Sequence, residues 1–512
     1  MPGLQHVVLL DKIDLSARDI LAQNGIKADV LEKFSEIPAE TLQSLDGLIV
    51  RSATKVTAEV ISKCPGLKII GRAGTGVDNI DVGEATNRGI IVMNTPGGNT
   101  ISAAEHTCFM VVALARNAAN NNAIMKSHKW SKGAGQELMG KTLGIIGLGR
   151  IGLEVASRMQ AFGMKTVGFD PIVAPESVAP LNVQWMTLDE LWPICDYITV
   201  HTPLIPQTKD LVCSKTLALC KKGVKIINVA RGGIVSETDL LENLNSGQCG
   251  GAGLDVFIDE PVKDWTLVDH PNVVATAHLG ASTKEGQLKC GQEIANQFVD
   301  FATNASSING VINSPALIAS FSTENAPWLR LATSLAQLLS ASTSETLVGD
   351  WKVEITGTEY PGNLKRFILT AVAAGVLKKV ESNANLINSS GLAEKHGLKL
   401  SFAEDLTQGD VQPQLKITAF GKSISGVVMN SKPYLKTIND AVFTELFDLE
   451  VSSGRLFAGT LNTSDVASVL TSLQKIGLQR MNLATVGEKS TLVGVSQKSD
   501  DSLNKFGIFF AA

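Results

Sequence analysis

The run Lys141-Thr-Leu-Gly-Ile-Ile-Gly147-Leu-Gly149-Arg150-Ile151-Gly152 decides the fold. A short apolar run, residues 143–146, leads into three glycines, and the third opens a helix that reaches about Arg158. Glycine at the first position permits the tight strand-to-helix turn, at the second lets a pyrophosphate approach the backbone, and at the third lets helix and strand pack closely. The helix N-terminus then faces the phosphates with its unpaired N–H groups. Such a glycine pattern is weak alone, but here Asp170 ends the next strand, 18 residues after Gly152. A carboxylate there accepts both ribose hydroxyls and repels a 2′-phosphate, and no arginine is adjacent, so the expected cofactor is NAD rather than NADP.

Outward from this turn, apolar runs alternate with helical stretches, giving expected strands at 143–146, 166–169, 197–200, 225–229, 252–256 and 273–277. Six strands with helices between them match a dinucleotide-binding (Rossmann) domain. An earlier series reads the same way, with strands at 7–10, 47–50, 67–70 and 90–93 and helices at 17–23, 39–44 and 58–63. It is a second parallel α/β sheet. Between the two series, Thr95-Pro-Gly-Gly-Asn99 suggests a hinge. A long helix is expected over 101–119 and another over 284–302. Past residue 308 the texture turns to serine, threonine and asparagine, and 309–450 reads only as α+β. The tail reads strand (455–461), helix (464–475), strand (481–485), strand (490–495), an incomplete ferredoxin-like unit.

At 512 residues the chain exceeds what one core serves, and three or four domains are expected. A net charge of −5 gives no global positive field to hold nucleic acid. Seven cysteines, an odd number with no C-x-x-C pair, fit reduced thiols in the cytoplasm. No cluster has metal-ligand spacing, so no metal is expected. The most apolar stretches, such as 109–115 and 368–377, fall far short of the roughly 18 residues that span a bilayer. The start of the chain has no basic stretch followed by a long apolar one. Neither a membrane nor a nucleic acid is expected as partner.

Three chemical groups stand at strand ends. Arg231 follows the strand at 225–230, Glu260 follows the one ending Asp255-Val256, and His278 follows 273–277. In a doubly wound sheet these C-terminal ends converge on the cofactor crevice. Oxidising an alcohol to a ketone needs a base for the hydroxyl proton, an acceptor for the hydride and a cation for the substrate's carboxylate. Histidine supplies the first near neutral pH. NAD supplies the second, and the planar fork of Arg231 the third. A carboxylate beside His278 favours its protonated form and orients the ring, the role given to Glu260. His201 also ends a strand but has no carboxylate neighbour in sequence and reads as structural. His106, in an apolar helix, reads as a satisfied helix histidine.

With these residues in hand, Gly71-Arg-Ala-Gly-Thr-Gly-Val-Asp-Asn79, Gly147-Leu-Gly-Arg-Ile-Gly152, Asn228-Val-Ala-Arg-Gly-Gly-Ile-Val235, Leu254-Asp-Val-Phe257 and His278-Leu-Gly-Ala-Ser-Thr283 resemble the D-isomer-specific 2-hydroxyacid dehydrogenase family, over about residues 5–310. The resemblance implies a flavodoxin-like substrate domain, residues 1–98 and 281–308, split by a Rossmann NAD domain at 99–280. It implies two further modules, an intervening α+β domain at 309–450 and a degenerate ACT-like domain at 451–512. Arg51-Ser-Ala-Thr-Lys-Val56, Thr95-Pro-Gly-Gly-Asn99, Cys220-Lys-Lys-Gly223 and His278 to Glu285 are similar to the animal members that act on a phosphorylated 2-hydroxy acid in serine synthesis.

The resemblance implies His278 as acid/base, Glu260 as its partner and Arg231 on the substrate carboxylate. It implies cofactor contacts at Thr75, Gly147, Gly149, Arg150, Ile151, Gly152, Asp170, Thr202, Val229, Ala230, Arg231, Asp255, His278, Leu279, Gly280 and Ala281. Arg51 and Ser52, with Asn99 nearby, are the implied phosphate ligands, alongside Arg231 and His278 in binding substrate. Homo-oligomers, dimer or tetramer, are implied as well. Two departures stand out. The segment after Trp130 is short and keeps one lysine, Lys132, where the family's animal members carry a basic cluster. The tail's Leu461-Asn-Thr-Ser-Asp465 lacks the Asn-x-Pro-Gly turn that binds serine in bacterial relatives, so serine feedback is not expected. Other readings of the same machinery are a dehydrogenase or reductase of glycerate, hydroxypyruvate or glyoxylate, and an NAD-sensing corepressor resembling the C-terminal-binding proteins.

Overall fold

The structure is a computed structural model that describes residues 3–130, 133–303, 308–343, 347–358, 360–406, 412–439, 441–450, 455–506 and 508–511. The chain forms two compact units, Thr95–Glu293 and a second made of Met1–Asn94 with Ile294–Ala512. The cuts fall at 94/95 and 293/294, where 98/99 and 280/281 are expected from sequence. The second cut lies inside one continuous helix, Lys284–Ala302, whose periodicity gives no signal of a boundary. The expected boundary near 451 lies outside the described residues.

In the discontinuous unit, β1 (His6–Leu9), β2 (Lys27–Val30), β3 (Gly47–Val50), β4 (Ile69–Arg72) and β5 (Ile91–Asn94) pair in parallel in the order β2-β1-β3-β4-β5. This is the flavodoxin-like doubly wound order. β3 is a fully buried apolar run, and β1 is buried throughout and apolar after His6, as strands covered on both faces must be. β2 is the edge, and its Lys-Ala-Asp-Val lies exposed or half-buried, which is why the sequence shows no strand there. Helix Lys284–Ala302 lies against the sheet at Gly47 and Gly71, where an added Cβ would come within 2.9 and 2.6 Å of Phe298. Residues 310–313 then lie along β5, with Asn94 N–H donating to Gly310 O at 2.9 Å and Ile312 N–H to Val92 O at 3.0 Å.

The rest of this unit holds two further sheets. β13 (Gly349–Gly357), β14 (Leu398–Leu406), β15 (Gln414–Ala419), β16 (Lys422–Met429), β17 (Lys432–Ile438) and β18 (Ala441–Asp448) run β14-β13-β15-β16-β17-β18, and all pairs but β13–β14 are antiparallel. Helices Ala326–Ala341 and Lys365–Leu377 bury their apolar stripes with it in one core around Leu335, Trp351 and Ile368. In the tail, β19 (Arg455–Asn462), β20 (Leu478–Val486), β21 (Lys489–Ser496) and β22 (Ile508–Phe510) order as β20-β21-β19-β22. The expectation of an incomplete ferredoxin-like unit needs correction. A fourth strand, β22, closes the sheet beside β19, and a 3-10 turn at Asp501–Phe506 stands where a second helix would be. That segment is too short and polar for a helical apolar stripe to show in sequence.

In the continuous unit, β6 (Thr142–Ile146), β7 (Lys165–Phe169), β8 (Gln184–Trp185), β9 (Tyr197–Val200), β10 (Val224–Asn228), β11 (Cys249–Leu254) and β12 (Val273–Ala275) form an all-parallel sheet in the order β12-β11-β10-β9-β6-β7-β8. This is the dinucleotide-binding order with a seventh strand added at one edge. β8, two residues long, is the strand the sequence does not show. The long helix is shorter than expected. It spans Thr100–Arg116 and stops where Asn117 takes a left-handed φ of 49°, before a second helix, Ala118–Lys126. Asparagine tolerates that conformation because its side chain is short and polar. Among the described residues no helix is long and apolar enough to cross a membrane, and no three His, Cys, Asp or Glu side chains gather to hold a metal.

Candidate active site

Buried β6 ends at Ile146 and the chain turns at Gly147, whose φ is +101°. A Cβ on Gly147 would stand 2.5 Å from His201 O, and one on Gly152 only 2.1 Å from Gly147 O. Neither position accepts a side chain. Gly149 differs, because a Cβ there would meet nothing within 4 Å. It is the N-cap of helix Arg150–Ala161, with no side-chain cap and no acidic residue in the first turn. The first N–H groups of that helix are thus left to an outside anion.

Asp170 bounds the same turn. Its Oδ2 accepts from Leu148 N–H at 2.9 Å and its Oδ1 from Ile172 N–H at 2.8 Å and Val173 N–H at 3.2 Å. A carboxylate has about four lone-pair positions, so the side chain both fixes the turn and keeps acceptor capacity for a ribose hydroxyl. Thr202 packs beside Gly147, and its Oγ1 is buried with no hydrogen bond among the described residues. Arg150 is exposed, Ile151, Val229 and Ala230 are half-buried, and Gly147 and Gly152 are buried. An open turn, an uncapped helix and an orphaned hydroxyl fit a dinucleotide: the turn would hold the pyrophosphate and Asp170 the ribose.

The catalytic candidates stand past the ends of β10, β11 and β12. After β10, Asn228 Oδ1 accepts from Ala230 N–H at 3.0 Å and its Nδ2 donates to Arg231 O at 2.8 Å, a local brace that sets the Arg231 turn. Arg231 Nη1 donates to Ala230 O at 2.6 Å. After β11, Glu260 Oε1 accepts from Phe257 N–H at 3.1 Å. Its Oε2 accepts from His278 Nδ1 at 2.7 Å, with the two side chains 38% and 40% exposed. Burial acts to raise the Glu260 carboxyl, but the hydrogen bonds from His278 and Phe257 outweigh it and hold the group below its ordinary range. The carboxylate therefore stays charged, fixes the tautomer with a proton on Nδ1, and leaves Nε2 to exchange a proton.

His278 has a φ of +53°, a conformation a non-glycine residue holds only under constraint. Asp255 supplies the constraint. It is 1% exposed, and its carboxylate accepts from Thr276 Oγ1 at 2.5 Å, Leu279 N–H at 2.7 Å and Gly280 N–H at 2.7 Å. His106 Nε2 lies 2.9 Å from Thr276 Oγ1 and 3.3 Å from Asp255 Oδ1. The carboxylate of Asp255, a cofactor contact in the sequence reading, is thus engaged with the backbone that carries His278, Leu279 and Gly280, while Ala281 follows half-buried. His106 braces that network from the long helix, a role no local pattern announces. His201 is half-buried, bonds Thr199 Oγ1 at 3.1 Å, and has its pKa pushed down by desolvation to about 4, so it stays neutral.

In the discontinuous unit, Asp11 Oδ2 accepts from Arg51 N–H at 2.8 Å and Thr54 N–H at 3.0 Å, and Asn79 Nδ2 donates to Arg51 O at 2.7 Å. The Arg51 side chain is half-buried, Ser52 is exposed, and Thr75 O accepts from Asn94 Nδ2 at 2.6 Å. Asn99 is the N-cap residue of helix Thr100–Arg116 in the other unit. Lys132 lies outside the described residues.

An open glycine turn with a carboxylate at the ribose position, together with a histidine–glutamate pair and an arginine at neighbouring strand ends, defines an NAD-dependent dehydrogenase. The chain belongs to the D-isomer specific 2-hydroxyacid dehydrogenase family, whose NAD-binding domain matches residues 108–280. The human protein named D-3-phosphoglycerate dehydrogenase is 45% identical over 513 residues, 96% of this chain and 95% of that one. The Bacillus subtilis protein of the same name is 42% identical over 77% of this chain and 76% of its own. Among solved structures, the Aquifex aeolicus D-lactate dehydrogenase complexed with NAD and lactic acid matches with a TM-score of 0.52 and 29% identity, covering 58% of this chain and 95% of that one.

Proposed function

We propose that the protein oxidises 3-phospho-D-glycerate to 3-phosphohydroxypyruvate, the first step of serine synthesis, with NAD as acceptor. The observation that carries the reaction is the His278 Nδ1–Glu260 Oε2 hydrogen bond of 2.7 Å. The relatives' name, D-3-phosphoglycerate dehydrogenase, supports the substrate. When bound, NAD supplies the site that accepts the hydride from C2. His278 Nε2 takes the hydroxyl proton, and Glu260 stabilises the imidazolium that results. Arg231 holds the carboxylate bidentately, and Arg51 with Ser52 and Asn99 holds the phosphate. Run in reverse, the same imidazolium returns the proton to the ketone oxygen. A homo-oligomer and a cytoplasmic location go with this reading, the latter supported by seven free thiols.

The test is NADH production from 3-phosphoglycerate, D-glycerate and D-lactate in parallel, with the wild type and Arg51→Ala. Preference for the phosphorylated acid, with a KM raised by Arg51→Ala for that acid far more than for glycerate, is the expected result. Equal turnover of glycerate, or equal effects of the substitution on both acids, contradicts it.

A further inference from the structure

The loop that carries Glu260 has a second carboxylate under it. Glu237, the first residue of helix Glu237–Ser246, reaches across so that its Oε1 accepts from Ile258 N–H at 2.7 Å. The neighbouring peptide, Phe257 N–H, donates to Glu260 itself. Two consecutive N–H groups of one loop are thus held by two glutamates, one aimed at His278 and the other anchored on a helix. The loop has no slack on its other side either. A Cβ on Gly232, next to Arg231, would stand 2.0 Å from Phe257 O and 2.6 Å from Ile258 N.

We infer that Glu237 is a positioning residue for the reaction: by anchoring Ile258 N–H it fixes the 257–260 loop, and through it the placement of Glu260 against His278. The inference rests on the reading of His278 and Glu260 as the acid/base pair. Glu237 touches neither His278 nor the reacting atoms, and what it supplies is reach. A side chain one methylene shorter keeps the charge but falls short of Ile258 N–H. Glutamine keeps the reach and an acceptor oxygen but loses the charge. The charge itself is not favoured there. Burial first, then the nearby Asp259 and Asp264, push the Glu237 carboxyl above its ordinary value.

The experiment compares Glu237→Asp and Glu237→Gln, each alone and combined with Glu260→Ala, in the full chain. It measures kcat for 3-phosphoglycerate, the Kd for NADH and the melting temperature. Misplacement of a catalytic group by about an ångström costs up to about a hundredfold, so Glu237→Asp is expected to lower kcat roughly tenfold. Its NADH Kd stays unchanged, and Glu237→Gln stays within about threefold of wild type. In the Glu260→Ala background, Glu237→Asp adds no more than about twofold, because the two act as one unit. Glutamine as harmful as aspartate overturns the inference, as do effects of Glu237→Asp and Glu260→Ala that multiply. An unchanged kcat in Glu260→Ala alone overturns the acid/base reading and this inference with it, so the two failures are told apart.

Discussion

Two turns occupy the same place in the two parallel sheets, one after β1 and one after β6, and they are finished in opposite ways. After β1 there is no glycine. Asp11 and Lys12 take left-handed φ values of 63° and 54°, and the Asp11 carboxylate collects Arg51 N–H, Thr54 N–H and Thr54 Oγ1. Asp14 then caps the helix that follows, accepting from Ser16 N–H at 2.9 Å. The turn carries its own anion. After β6, Gly147 takes the strained φ, Gly149 leaves open space, and helix Arg150–Ala161 starts uncapped. Here the anion must come from outside. One architecture thus yields a closed structural turn or a ligand site, according to whether a side-chain carboxylate or a glycine stands at the switch.

Converting the open turn into a closed one carries the largest expected effect. The backbone at Gly149 is extended, φ −75° and ψ −167°, so an aspartate fits there without strain and supplies the missing cap. Gly149→Asp is expected to keep or raise the melting temperature while weakening NADH binding at least about a hundredfold, about 2.8 kcal/mol, in a fluorescence titration. Unchanged affinity would mean that the pyrophosphate does not approach this backbone. The reverse experiment, Asp11→Ala, removes the internal anion. It is expected to cost about 2 kcal/mol in urea denaturation, since hydrogen bonds to charged groups are lost, and to leave NADH affinity alone. A smaller effect sharpens the picture at the strand ends of the second sheet. Burial acts to raise Asp255, but the hydrogen bonds from His106, Thr276, Leu279 and Gly280 together hold its carboxyl below the ordinary 3.8. A depressed carboxyl stabilises the fold fully above its unfolded pKa, and that contribution fades as pH falls through the lower folded value. Asp255→Asn is therefore expected to flatten the fall of melting temperature on acidification below about pH 4, which thermal scans from pH 6 to 3 resolve. A slope as steep as wild type contradicts it.

Much of this was legible in the sequence because it is local. The glycine run, Asp170 one strand later, and the ends of β10, β11 and β12 all follow from period and spacing, so Arg231, Glu260 and His278 could be named together. What was not legible depends on long-range contacts. β2 and β8 are edge strands, with no apolar run to betray them. The stop at Asn117 rests on one left-handed residue in an otherwise apolar run. β22 is defined only by its pairing with β19. At the site, the family resemblance implies Asp255 as a cofactor contact, while the hydrogen bonds its carboxylate takes from Leu279 and Gly280 N–H come from 24 and 25 residues away and leave no local signal. His106 and Glu237 lie 170 and 21 residues from Thr276 and Ile258, the partners that give them meaning.

The central claim is that a single histidine, set by Glu260, moves the proton beside a cofactor site built independently of it. His278→Ala tests it most directly, with turnover of 3-phosphoglycerate and NADH binding measured on the same preparation. A general base contributes typically about 10²–10⁴-fold, so turnover is predicted to fall at least a hundredfold while the Kd for NADH stays within about twofold of wild type. Turnover that survives the substitution, or NADH binding lost along with it, would contradict the account.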